Sequence, residues 1–120
     1  MREFISVTKA LADENRVRIL MALRHGELCA CQIQELLQLA PSTTSKHLHI
    51  LYQARLADFR KDGRWVHYRL PEPAPGWEFI TETLTWLDKN LKDDPVIQAD
   101  NERLKTLRAM NREELCRLSV

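Results

Sequence analysis

Two thiols one residue apart, Cys29 and Cys31 in the run Glu27-Leu28-Cys29-Ala30-Cys31-Gln32-Ile33, are the side chains best equipped for chemistry in this 120-residue chain. In a small intracellular protein, cysteines more often bind metal or do redox chemistry than staple a fold. A third, Cys116, lies far along the sequence, and the odd count excludes a fully paired disulfide framework within one chain. Thiolates select soft ions, and the positive end of a helix favours the thiolate form that binds them. The four histidines, His25, His47, His49 and His67, are scattered and suggest no ligand set.

Geometry gives such a pair a mechanical consequence. Residues i and i+2 of a regular helix point about 200° apart. Two thiolates on one ion at roughly 2.3 Å need sulfurs within about 4 Å. If both residues sit in the first turn of a helix, ligation is expected to distort that turn.

The elements around the pair follow from periodicity. Phe4, Val7, Ala10 and Leu11 predict a short amphipathic helix over 3–11. A second follows Asp13-Glu14-Asn15, with Val17, Ile19, Leu20 and Leu23 inward and His25-Gly26 as its stop. Residues 30–37 read as a third, with Ile33, Leu36 and Leu37 inward, then a tight turn at Gln38-Leu39-Ala40. Pro41 suits the first position of a fourth helix over roughly 41–54, whose core face is Thr44, Leu48 and Leu51. Its open face carries Ser42, Thr43, Ser45, Lys46 and His49, short polar groups and a cation able to approach base edges and phosphates. His47 is expected to hydrogen-bond or pack inside this helical pair.

At residue 56 the period changes to that of strands. Leu56–Arg60 and Arg64–Leu70 flank Asp62-Gly63, a hairpin signal, and His67 falls on the second strand. This basic hairpin, a wing over 56–70, is expected to lay Lys61 and Arg64 on the phosphate backbone. Pro71, Pro73, Pro75 and Gly76 form a linker, and a helix over 77–91 carries the apolar stripe Ile80, Leu84, Leu87, Leu91. A last helical stretch over 98–118 has Leu104, Leu107, Leu115 and Leu118 as its apolar positions and carries Cys116. The expected division is a domain over 1–92 and a helical tail over 93–120.

Net charge is +1, but it is unevenly spread. Residues 41–70 hold Lys46, Arg55, Arg60, Lys61, Arg64 and Arg69 against only Asp58 and Asp62. A local basic field on a nearly neutral protein is what replaces counterions on a nucleic acid. No run approaches the ~20 apolar residues of a membrane span, and the first residues lack a signal-peptide pattern. A cytoplasmic location with no membrane partner is expected.

In this order the parts are similar to those of a known family. Ala10-Leu11-Ala12-Asp13 with Arg16-Val17-Arg18-Ile19-Leu20, then Glu27–Cys31, Ser42–Leu48 and Asp62–Leu70, resemble the ArsR/SmtB family of winged-helix metalloregulatory repressors over roughly residues 5–92. The resemblance implies a mostly helical, homodimeric winged helix-turn-helix without enzymatic activity. The first helix and the post-linker helix would form the dimer interface, Ile80, Leu84, Leu87 and Leu91 included. It also implies repression of double-stranded operator DNA by the free protein and release by an inducer. Two positions depart from the family pattern: Ala40 replaces a Ser cap ahead of the recognition helix, and Arg55 stands where Gly is common. If Arg55 must take a positive φ, it stores strain.

The family's sensor sites differ, and the residues discriminate among them. Zinc sensing uses His and carboxylates on the post-linker helix, but residues 77–92 contain no His. Cadmium and lead sensing adds N-terminal cysteines, and none precedes Cys29. Arsenic sensing uses Cys-x-Cys at the start of the third helix, often with a third Cys three residues on, where this chain has Gln34. As(III) or Sb(III) at Cys29 and Cys31, with Cys116 of either subunit as a possible third ligand, is therefore the leading expectation, with no cofactor permanently bound. The alternatives are a thiol redox sensor and a Cd/Pb sensor of the same fold. A thiol oxidoreductase is opposed by the one-residue spacing of the pair.

Overall fold

The computed structural model describes residues 1–118, with side chains through Cys116; the Leu118 side chain lies outside the described residues. Helix α1 (Arg2–Ala10) leads into α2 (Glu14–Leu23), whose first turn is closed by Asp13. The Asp13 carboxylate accepts from the backbone N–H groups of Asn15 (2.8 Å) and Arg16 (3.2 Å), which no helical carbonyl can reach. A two-residue strand β1 (Leu28–Cys29) precedes α3 (Ala30–Leu37). Gln38 ends α3 in the left-handed region at φ 56°, and its side-chain amide donates to the Glu35 carbonyl at 2.7 Å. Helix α4 (Pro41–Gln53) starts on Pro41 as expected, with no side-chain cap at Ala40.

Arg55 does adopt positive φ, at 64°, so the strain anticipated from its sequence position is present. Its guanidinium lies 4.0 Å over the Trp77 ring, which offsets part of that cost. The wing follows as β2 (Asp58–Asp62) and β3 (Trp65–Arg69). Asp62 pairs with Trp65, so the two-residue loop is Gly63-Arg64, one residue later than the sequence suggests. Gly63, at φ 61°, takes the first loop position, where a type II′ turn demands glycine.

The sheet has three antiparallel strands in the order β1-β3-β2, not the two of a simple hairpin. Leu28 pairs with Tyr68 and Cys29 with His67, which fixes the thiol segment to the wing. Helices α5 (Glu78–Leu91), α6 (Pro95–Ala109) and α7 (Arg112–Leu118) complete the chain. The expected single stretch over 98–118 is thus two helices. Asp94 caps α6 through the N–H groups of Val96 and Ile97, and Met110, extended at ψ 148°, separates α6 from α7.

One core cluster joins everything. Ile19, Leu20, Leu28, Ile33, Leu48, Leu51 and Leu56 are buried with Ile97, Leu104, Leu107 and Leu115 of the last two helices. The segment 93–116 therefore packs as part of the body. Arg18 of α2 reaches Asp100 of α6 with two charge-assisted hydrogen bonds, Nε at 2.8 Å and Nη2 at 2.9 Å, both side chains largely buried. The Asp100 carboxylate holds the Arg18 guanidinium above its ordinary pKa. Removing the acid strands a largely buried cation, so Asp100→Ala should lower stability by about 3 kcal/mol, the low end for a broken buried pair. Urea denaturation of both proteins checks this; a variant as stable as the parent would mean α6 docks by apolar contact alone. No helix among the described residues is long and apolar enough to cross a membrane.

Candidate thiol site and nucleic-acid interface

Cys29 is not in a helix. It is the last residue of β1 and the N-cap of α3, extended at φ −78° and ψ 158°, with only 2% of its surface exposed. Its backbone N–H donates to Gln32 Oε1 at 2.8 Å, so the α3 start is anchored by Gln32 reaching back. Cys31 sits one residue inside α3 and is half-buried. The two cysteines therefore occupy different backbone conformations. The conflict expected for two thiols in one helical turn does not arise, because only one of them is in the turn.

Cys116 reaches the same place from α7 of the same chain. Cys31 and Cys116 are disulfide-bonded, with Cα atoms 5.3 Å apart across 85 residues, while Cys29 is a free, buried thiol. All three line one cavity of about 680 Å³ with Ala30, Arg64, Trp65, Val66 and Glu113. In this oxidised arrangement no three His, Cys, Asp or Glu side chains among the described residues are grouped to hold a metal ion. Reduction would release two soft donors beside the third, a donor set suited to a soft ion. Spacing alone gave no way to bring Cys116 to Cys31, because that depends on how α6 and α7 fold back.

Helix α7 also grips the wing. Arg64 Nη2 donates to Glu113 Oε1 at 2.9 Å, and the Arg64 and Arg112 guanidinium carbons lie 4.7 and 5.2 Å from the Trp65 ring centre. Arg112 Nη1 lies 3.0 Å from His67 Nε2 and 3.9 Å from Asp62. Because arginine can only donate, His67 Nε2 accepts and its ring proton sits on Nδ1, which faces Glu27 at 3.7 Å. His67 is therefore a strand residue inside a hydrogen-bonded network, and sequence reasoning missed the network because its partners lie on three elements.

Glu27, just before β1, takes both ends of the Arg60 guanidinium at 2.7 and 3.0 Å. The Arg60 hydrogen bonds hold its carboxyl below the usual carboxylate range. A lowered folded pKa means stability that is present above the unfolded value and lost as pH falls through the folded one. Acidification should therefore loosen the wing from β1, and Glu27→Gln should remove that part of the acid response. Trp65 fluorescence followed from pH 7 downward reads it; identical acid profiles for both proteins would show that the wing is held without this pair.

The helix-turn-helix is braced by Arg16. Its guanidinium donates to the carbonyls of Ala10 (2.7 Å) and Lys9 (3.2 Å) and lies 3.3 Å from His47 Nδ1. One side chain thus ties the end of α1 to α4, and His47 plays the internal role expected of it. Thr44, Leu48 and Leu51 are buried, while Ser42, Thr43, Ser45, Lys46 and His49 are all exposed. Lys61 is exposed at the wing, and Arg64 is exposed but occupied by Glu113. On α5, Ile80 and Leu87 are already buried within the protomer, at 5% and 6% exposure, whereas Leu84 and Leu91 are half-buried. On α1 and α5 the large apolar side chains left in water are instead Phe4, Ile5 and Trp86; Ile50, Tyr52, Phe59 and Val96 are exposed on other elements.

These features agree with what the chain is similar to. A family model described as "Bacterial regulatory protein, arsR family" matches residues 13–58, from the α2 cap to the start of β2. The arsenic resistance transcriptional regulator ArsR1 of Pseudomonas putida is 41% identical over 81 residues, 64% of this chain and 63% of that protein. The chain thus spans just under two thirds of that relative's length. ArsR2 of the same organism, also an arsenic resistance transcriptional regulator, is 35% identical over 91 residues, 70% of this chain and 79% of its own. Among solved structures, HlyU from Vibrio cholerae superposes with a TM-score of 0.65 at 26% identity, covering 76% of this chain and 94% of that one.

Proposed function

This chain belongs to the arsR family of bacterial regulatory proteins, and on that premise we propose that it is a cytoplasmic, homodimeric repressor released from operator DNA by As(III) or Sb(III). The carrying observation is the convergence of Cys29, Cys31 and Cys116 of one chain on a single cavity walled by the wing strand. In the reduced protein the three thiolates would hold the metalloid, which supplies a soft, three-coordinate centre matched to sulfur. Cys116 acts within its own subunit here, not across the dimer.

Coupling to DNA runs through α7. Joining β1, α3 and α7 at the sulfurs also fixes Arg112 and Glu113, which hold Asp62, Arg64 and His67 of the wing. DNA requires the opposite of Arg64, that its guanidinium leave Glu113 for a phosphate. An exposed ion pair is worth at most about 1 kcal/mol, so phosphate competes easily with a free α7 and poorly with a tethered one. Half-sites about 34 Å apart on one duplex face make a small displacement of either wing costly.

The recognition face of α4 supplies the rest. Replacing Lys46 or Lys61 with Ala should flatten the log K versus log[salt] slope by about 0.9 for each phosphate that the lysine neutralises. Ser42→Ala or Thr43→Ala should change sequence preference, since their side chains lie where base edges would be. An unaltered salt slope in both lysine variants would leave the basic segment as a solvated face. The reading as a whole is tested by an operator gel shift titrated with arsenite, antimonite, cadmium and zinc. Release by arsenite and antimonite at concentrations where zinc is inert is expected. Release by cadmium alone would make the protein a cadmium sensor.

A further inference from the structure

We propose that Cys31 and Cys116 are a redox-active dithiol that hydroperoxides oxidise to an intramolecular disulfide, and that this oxidation closes the metalloid site. The second half rests on the function proposed above; the first does not.

Position selects this pair from the three cysteines. Cys29 is the least exposed of the three, at 2%, held in β1 beside β3 at the wall of the cavity. Cys31 and Cys116 are half-buried and open onto the cavity. With the bond in place their Cα atoms are 5.3 Å apart, within the span a disulfide needs.

The chemistry balances in two steps. The Cys31 thiolate attacks one peroxide oxygen, the O–O bond breaks, and Cys31 becomes a sulfenic acid as hydroxide leaves. The Cys116 thiolate then attacks the Cys31 sulfur, forming the S–S bond and expelling the sulfenic oxygen as hydroxide. The two hydroxides take up the two protons that the thiols released. Two thiols have lost two electrons, and one hydrogen peroxide has become two waters. A dithiol reductant reverses the result by exchange.

Oxidation here need not disturb the core. Helix α7 is short, and Leu115 is its one fully buried apolar anchor among the described residues. Its wing contacts are polar, the exposed Arg64–Glu113 ion pair at 70% and 63% exposure and the part-buried Arg112–His67 hydrogen bond among them. A bond between two solvent-open sulfurs at the end of such an element is the labile kind. Once it forms, Cys29 is the only thiol left in the cavity, and one sulfur does not hold a pyramidal metalloid.

The experiment uses the full chain, reduced and then exposed to stoichiometric hydrogen peroxide. Free thiols are counted by alkylation after denaturation, and the linked peptides are identified by mass spectrometry. The expected result is a fall from three thiols to one, with Cys31 joined to Cys116 and Cys29 alkylated. Arsenite retained after desalting should drop to background in the oxidised protein and return with dithiothreitol. In Cys116→Ser, peroxide should leave a dimedone-reactive sulfenic acid on Cys31, a readout that a merely destabilised tail would not give. A Cys29–Cys31 bond, a bond between chains, or an unchanged thiol count would overturn the dithiol. Equal arsenite retention in reduced and oxidised protein would overturn the closing of the site. A reduced protein that retains no arsenite would instead refute the proposed function, leaving peptide mapping to decide the dithiol.

Discussion

Cys31→Ser is expected to bind operator DNA as the parent does and to stay bound when arsenite is added. Cys31 is half-buried on α3, away from the exposed recognition face of α4, so loss of its sulfur removes a ligand without removing a DNA contact. Cys29→Ser should share the phenotype without a large stability cost, because it places a hydroxyl at the N-cap of α3, where serine accepts from a backbone N–H of the first turn. Cys116→Ser should still hold arsenite through the Cys29 and Cys31 thiolates but stay on the operator, because α7 is no longer tethered to the metalloid. Fluorescence anisotropy of a labelled operator during an arsenite titration reads release in all three. X-ray absorption should find one sulfur fewer around arsenic in Cys116→Ser than in the parent. Complete release of Cys31→Ser at the parent's arsenite concentration would take the Cys29/Cys31 pair out of the sensor.

The helix-turn-helix was legible because each of its boundaries has a local cause. Asp13 caps α2, Pro41 opens α4, and Thr44, Leu48 and Leu51 recur at helical spacing on the buried face. The short β1 was not legible: two residues carry no period, and Leu28-Cys29 becomes a strand only because β3 offers it free backbone groups. For the same reason the local spacing of Cys29 and Cys31 suggested two thiols in one helical turn, when the first is held outside it. The place of Cys116 was beyond local reasoning altogether. It depends on the Arg18–Asp100 pair docking α6 on α2, on the break at Met110, and on Arg112 turning α7 toward Trp65 and His67. Each pairing joins residues more than forty positions apart, and periodicity reports only on neighbours.

Trp86→Asp is expected to give a folded monomer with weak operator binding, and Leu87→Glu an unfolded or aggregated chain. The sequence stripe Ile80, Leu84, Leu87, Leu91 suggests a single interface, but the structure divides it. Ile80 and Leu87 are in the protomer's own core, so a charge at Leu87 is buried without a partner, a change that unfolds marginally stable domains. Trp86, the residue before it, has 59% of its surface in water, and Phe4 on α1 is equally exposed. Burying a side chain of this size is worth roughly 1.5–3 kcal/mol, counted twice in a symmetric contact because each residue meets the partner's surface. Asp at position 86 replaces that gain with the cost of desolvating a carboxylate, while the monomer keeps its charge in solvent. Sedimentation velocity and far-UV circular dichroism on both variants decide the matter. A Trp86→Asp protein that remains dimeric would move the interface off this face of α5. A Leu87→Glu protein that folds and merely dissociates would restore the full stripe to the interface.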